Sequence, residues 1–159
     1  MSGETIRILI AGALSSLGFA LVFRLSLRLL LPATLGGAVA YAAYLLGVYS
    51  GMDIFAANFL GAAAIALFSE ICARIFKAPA SVFLVPGAIP LVPGRLLYLA
   101  MSHLIATEYA DAFSAFKSAL LTAVGIAAGV IIVSVFGTLF RKPFGKDGKG
   151  EKKRADSGH

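Results

Sequence analysis

The amino-acid sequence predicts an all-α, polytopic integral membrane protein with about five transmembrane helices, the fourth of them interrupted by a Pro/Gly-rich break. Of its 159 residues, 59% are hydrophobic and only 14% are charged, and the mean hydropathy is +0.90. Soluble domains contain about 45–50% apolar and about 25% charged residues. A chain of this size has too little interior to hide so much apolar surface, so lipid is the predicted solvent for most of it.

Five hydrophobic stretches are long enough to cross a hydrocarbon core of about 30 Å as helices. The first is interpreted as a retained helix rather than a signal peptide, because Glu4 precedes Arg7 and no small-x-small cleavage site closes a short apolar region. Pro32 is predicted to end the run before the second stretch. A polar connection with Glu108, Asp111 and Lys117 is predicted before the fifth. The stretches cover residues 5–23, 33–52, 54–75, 80–103 and 118–140.

The charge pattern indicates a membrane topology rather than a nucleic-acid site. Seven of the fourteen basic residues lie in the last nineteen positions, and most of the others border hydrophobic stretches. Basic residues favour the cytoplasm in short loops. The predicted topology therefore places the amino terminus outside and the carboxyl terminus inside, in a multi-pass protein of the cell (inner or plasma) membrane. Residues 1–142 are predicted to form the membrane domain, and residues 143–159 a disordered basic cytoplasmic tail. The basic connections contain Arg24, Arg28, Arg74 and Lys77, and the connection between them contains Asp53.

Residues 85–95 contain three of the six prolines, in the middle of an apolar run. A proline inside a helix removes a backbone donor and costs about 3 kcal/mol, so the fourth span is predicted to be discontinuous. A helix resuming near Pro93 would point its free N–H groups and positive dipole end at an anion, and Arg95 would add a guanidinium. Together with Pro90 and Gly94, these residues are the predicted binding site for a substrate carboxylate.

The alternative for Arg95 is a kinked helix with the side chain extended to the cytoplasmic interface. Residue 80 lies about 22 Å away along a helix, which places Arg95 deep for that. Glu70 is a second intramembrane candidate, as a proton-coupling group or a partner for Arg95. A local ion pair with Arg74, four residues later, is the simpler interpretation.

Enzyme, metal and cofactor motifs are missing from the sequence. There is no HExxH, phosphate loop or CxxC, so we expect neither catalysis nor a bound metal or cofactor. Cys72 is the single cysteine and is interpreted as a small apolar residue. His103 has no second histidine nearby and is interpreted as an interfacial residue. Gly125 and Gly129 permit a tight helix crossing, although ordinary small-residue packing explains them as well.

Residues 83–94, FLVPGAIPLVPG, followed by Tyr98 and Met101, resemble the threonine/serine exporter family. The resemblance is closest to the small subunit of its split two-component members, which include proteins described as dicarboxylate (succinate) exporters. It implies a subunit of a secondary exporter that moves small carboxylates, either threonine/serine-type amino acids or a dicarboxylate such as succinate, out of the cytoplasm. The implied partner is a larger multi-span membrane subunit.

A different class of function is also compatible with the sequence: a non-transporting membrane scaffold that stabilises a partner membrane protein. In both cases the lipid bilayer is a partner, nucleic acid is not, and association between copies of the chain is left open. The assignment of Arg95 to substrate comes from the physical argument and not from the resemblance.

Overall fold

The computed structural model describes residues 3–139, and between these positions the chain contains helices and no strand. The predicted tail, residues 143–159, lies outside the described residues, as do residues 140–142 of the predicted membrane domain. In chain order the helices are α1 Gly3–Val22, α2 Leu27–Tyr49, α3 Ile54–Phe76, α4 Ser81–Ala88, a 3-10 turn Ile89–Leu91, α5 Gly94–Ile105 and α6 Tyr109–Leu139.

The helices confirm the predicted all-α membrane architecture. Within residues 3–139, four segments are long and apolar enough to span a membrane: Thr5–Val22, Leu27–Tyr49, Ile54–Phe76 and Tyr109–Gly137. The fifth is a bent pair, in which Ser81–Leu91 and Gly94–Ile105 meet at 42°. Counted as one broken span, the pair gives the five predicted spans; counted as a re-entrant loop, it leaves four.

Two helix boundaries differ from the prediction. Pro32 lies inside α2 and does not end it. A proline near the start of a membrane helix removes only one hydrogen bond, and its buried ring packs inside the bundle. Helix α6 begins at Tyr109, so Asp111 and Lys117 are helical and not part of a connection. Asp111 lies in the first turn of α6, where the helix dipole favours an acidic side chain.

Small residues let the helices approach closely. Ser16 of α1 donates its buried hydroxyl to Ala33 O of α2, at 2.8 Å. Helices α3 and α6 run parallel, and Cβ atoms built at Gly125 and Gly129 would lie 2.6 Å from the carbonyl oxygens of Phe55 and Phe59. The two glycines therefore form the tight crossing that their spacing permits.

Helix α4 is inserted between the first three helices. A Cβ atom at Gly87 of α4 would overlap Ile65 Cδ1, and one at Gly36 of α2 would lie 2.8 Å from the same atom. Ile65 is fully buried between these two glycines, in a cluster with Leu91 of the 3-10 turn. This contact holds the end of α4 against α2 and α3.

The bundle has two chemically different ends. Ala20, Cys72 and Phe83 share one buried cluster, which brings together connections 23–26 and 77–80, and we call this the basic end. At the other end, Thr5 Oγ1 lies 3.2 Å from the hydroxyl of Tyr49, beside connection 50–53. We call this the Asp53 end.

Candidate substrate site

The break in the fourth span is shorter than predicted. Helix α4 passes through Pro86 and Gly87 and ends at Ala88. The 3-10 turn that follows contains Pro90, and Pro93 is the residue before α5. The prediction that the helix resumes near Pro93 is confirmed. Pro86 is buried in the last turn of this short helix, which ends two residues later, so little of α4 follows its missing hydrogen bond.

Helix α5 begins with backbone donors that have no helical partner. Gly94 N–H donates to Val92 O at 2.8 Å, and Leu97 N–H donates to Pro93 O at 3.1 Å. The N–H groups of Arg95 and Leu96, between these two, donate to no backbone carbonyl among residues 3–139. No side chain caps this end of the helix. The start of α5 therefore presents free N–H groups and the positive end of the helix dipole.

A cavity of about 350 Å³ opens beside the start of α5. Its volume is within the range of about 300–1,000 Å³ that is typical of small-molecule sites. Among its lining residues only Arg95 is charged, and none is acidic. The lining residues are Tyr41, Tyr44, Ile54, Asn58, Pro90, Leu91, Val92, Pro93, Arg95, Leu96 and Thr122.

The other polar groups of the cavity come from α2, α3 and α6. The rings of Tyr41 and Tyr44 are tilted by 49°, with centroids 5.4 Å apart. Asn58 is 4% exposed, and its Nδ2 donates to Ile54 O at 2.7 Å, so the amide oxygen remains available as an acceptor. Thr122 is also 4% exposed. The cavity thus combines one cation with hydroxyl and amide groups.

The predicted site residues lie together at the break. Pro90, Pro93 and Arg95 line the cavity, while Gly94 is exposed and has no neighbour within 4 Å of a built Cβ. Arg95 lies at the level of Asn58, in the second turn of α3. It is therefore nearer the Asp53 end than the basic end, and it is exposed.

Sequence reasoning missed Asn58 and Thr122 as parts of this site. Both are polar side chains inside apolar helices, and both are almost fully buried. Polar residues within membrane helices are frequently functional, so their presence in α3 and α6 was the available signal. Nothing in the sequence, however, indicated that they would face the same cavity as Arg95.

Glu70 lies in a different part of the molecule. Twelve positions separate it from Asn58 along α3, which corresponds to about 18 Å, so it is not a partner for Arg95. The predicted ion pair with Arg74 is wrong, because His103–Glu108 is the only close acid–base contact in the described part of the chain. Glu70 is instead turned toward α6, with Cδ 3.3 Å from a Cβ built at Gly137. It lines a cavity of about 640 Å³ between α3 and α6.

A helix that breaks inside a membrane bundle, beside a polar cavity, is a feature of secondary transporters. The fold is that of a helical membrane protein, and the broken helix beside the cavity is a feature that it shares with such transporters. The family described as Threonine/Serine exporter, ThrE, matches residues 8–136, and the chain belongs to this family. Comparisons with curated proteins and with solved structures give no match. The predicted family is confirmed, and the assignment to the small subunit of a split exporter stays a prediction.

Proposed function

We propose that this membrane exporter chain of the threonine/serine type is one subunit of a secondary exporter that moves a small carboxylate out of the cytoplasm. A larger multi-span membrane subunit completes the transport unit. The observation that carries this proposal is the cavity in which Arg95 meets the free N–H groups at the start of α5.

Arg95 and the start of α5 provide two sources of attraction for a carboxylate. The guanidinium offers a planar pair of donors that matches the two carboxylate oxygens. The unpaired N–H groups of Arg95 and Leu96 add donors and the partial positive charge of the helix terminus. The substrate carboxylate is proposed to bind between these groups, with Pro90 and Pro93 shaping the wall of the cavity.

The composition of the cavity favours an amino acid over a dicarboxylate. A dicarboxylate such as succinate would need a second cation, and the lining contains none. An ammonium group has suitable neighbours in the tyrosine rings, which attract cations over their faces, and in the amide oxygen of Asn58. Thr122 supplies a hydroxyl that can bond to a substrate hydroxyl. We therefore propose threonine or serine as the preferred substrate of this cavity.

The two ends of the bundle support the proposed orientation. Arg24, Arg74 and Lys77 lie at the basic end, and Asp53 lies at the other. Basic residues favour the cytoplasmic side, so the basic end would be cytoplasmic and the cavity would lie in the outer half of the membrane. Substrate bound at Arg95 would then be close to the side of release.

The hairpin formed by α5 and the first half of α6 supports a partner subunit. Gly125 of α6 contacts the first turn of α3, at the Asp53 end. The part of α6 that precedes Gly125 is about 24 Å long, and the hairpin therefore extends past that end. Tyr98 and Ile105 of α5 are 71% and 81% exposed. If α1–α3 span the hydrocarbon core, the tip of this hairpin lies outside the core. Its apolar side chains would then be buried by contact with a partner protein.

The test is efflux of labelled threonine, serine and succinate from cells that express this chain with and without the larger subunit. Arg95→Ala should lower efflux at least about tenfold, because a hydrogen bond to a charged group contributes about 1.5–3 kcal/mol. Arg95→Lys should recover only part of the loss, since lysine lacks the planar fork. Arg28→Ala, which removes an exposed arginine of α2 at the basic end, is the matched control.

Partner abundance distinguishes the outcomes. Lost efflux in Arg95→Ala with an unchanged amount of the larger subunit supports the substrate site. Unchanged efflux refutes it. Efflux that follows only the amount of the larger subunit, in every variant, identifies the chain as a scaffold without a transport role.

A further inference from the structure

The turn between α5 and α6 brings together three potential metal ligands. His103 Nδ1 lies 2.6 Å from Glu108 Oε2, and Asp111 follows one turn later in α6. One ligand atom from each of the three residues lies within 4.8 Å of the other two. The side chains of His103 and Glu108 are 34% and 53% exposed, so water and ions can reach the group.

The charges of this group are not balanced by basic side chains. His103 is the only basic partner of Glu108 at salt-bridge distance in the part of the chain that the structure describes, and Asp111 has none there. Two carboxylates beside one imidazole therefore leave a net negative charge. The contact between His103 and Glu108 holds both groups in place, and a metal ion would replace the proton between them.

Imidazole nitrogen and carboxylate oxygen together are typical ligands of zinc and of neighbouring divalent transition metals. Zinc binds these atoms at about 2.0–2.2 Å, which places two ligands of a tetrahedral ion about 3.4 Å apart. His103 Nδ1 and Glu108 Oε2, now 2.6 Å apart, would separate slightly to share one ion. Three protein ligands leave a coordination position for water. Magnesium and calcium, which prefer all-oxygen sites, fit this set less well.

We propose that His103, Glu108 and Asp111 form a divalent transition-metal site, best suited to Zn²⁺, at the α5–α6 turn. The ion would tie the end of α5 to the first turn of α6. This matters for the fold because α5 packs mainly against α6. The proposal is independent of the substrate site, because it concerns the opposite end of α5 from Arg95.

The test uses the full-length chain, purified in detergent with an affinity tag that contains no histidine. Zn²⁺ binding is measured by calorimetry, and Co²⁺ is used as a spectroscopic probe of imidazole coordination. We expect one Zn²⁺ per chain, and at least about tenfold weaker binding in each of His103→Ala, Glu108→Gln and Asp111→Asn. Glu108→His, which keeps three ligands, should retain binding. His159→Ala removes the other histidine of the chain and is the control.

Two results would overturn the assignment. The first is that His103→Ala binds Zn²⁺ as tightly as the unmodified chain does, or that His159→Ala no longer binds it. The second is a requirement for His103 alone, with unchanged affinity in both carboxylate variants. The three residues lie at an accessible turn, so we expect each variant to fold. Circular dichroism of each variant verifies that its helices remain.

Discussion

Gly87→Ala is expected to destabilise the bundle by forcing α4 away from α3. The new Cβ would overlap Ile65 Cδ1 and would lie 2.8 Å from Ile65 Cγ1, whereas carbon atoms normally approach to about 3.5–4.0 Å. Ile65 is fully buried and lies against Gly36 on its other side, so it has no space into which to retreat. Overpacking of this kind costs about 1–3 kcal/mol.

A second substitution tests the proposed cause. Ile65→Val removes Cδ1, the atom nearest to the new methyl group, at its own cost of about 0.5–1.5 kcal/mol. The double variant should therefore be more stable than the sum of the two single effects predicts, by about 1 kcal/mol. The free energy of unfolding of each variant is measured by reversible denaturation in detergent.

Gly18→Ala is the matched control, since a Cβ at this helical position meets nothing within 4 Å. It should be neutral or slightly stabilising, because alanine favours a helix more than glycine does. Equal stability of the Gly87 and Gly18 variants would refute the packing argument. Strict additivity of Gly87→Ala and Ile65→Val would show that the loss arises elsewhere.

Two further pairs of substitutions, measured by the same unfolding experiment, test the α3–α6 crossing and the turn residues that have a positive φ. Gly129→Ala should cost about 2 kcal/mol, since its Cβ would lie 2.6 Å from the backbone oxygen of Phe59, whereas Gly137→Ala meets only a side chain at 3.3 Å and should cost less. Equal losses would contradict this. Thr107 has a φ of 61°, so Thr107→Gly should stabilise by about 1 kcal/mol, while Gly51→Ala, at a φ of 77°, should destabilise. Shifts of the same sign would refute the role of the backbone.

The predicted spans and the predicted break depend on local properties of the chain, and for that reason they could be read from the sequence. Hydropathy over some twenty residues decides whether a helix is stable in lipid. Proline removes a hydrogen bond wherever it stands, so Pro90 and Pro93 indicated a break in any packing arrangement. Pro32 and Pro86 have the same chemistry, but each remains inside a helix, Pro32 in the second turn of α2 and Pro86 two residues before the end of α4.

The ion pair between Glu70 and Arg74 was predicted wrongly because sequence spacing does not include the neighbouring helix, and the role of Glu70 as a coupling group stays a prediction. Its position four residues before Arg74 favours an ion pair on an isolated helix. In the folded bundle, α6 brings Gly137 against the Glu70 side chain, and the carboxylate is turned toward that helix instead. The contribution of an i,i+4 pair, about 0.2–0.5 kcal/mol, is small enough for packing to override it.

The sequence by itself determined that this protein is a helical membrane protein, that its fourth span breaks before Arg95, and that it resembles the exporters to which it belongs. Only the tertiary structure decided which groups share a cavity with Arg95. Tyr44, Asn58 and Thr122 come from three different helices and meet because small residues allow α2, α3 and α6 to approach closely. Such contacts depend on the packing of residues far apart in the chain, and no local pattern contains that information.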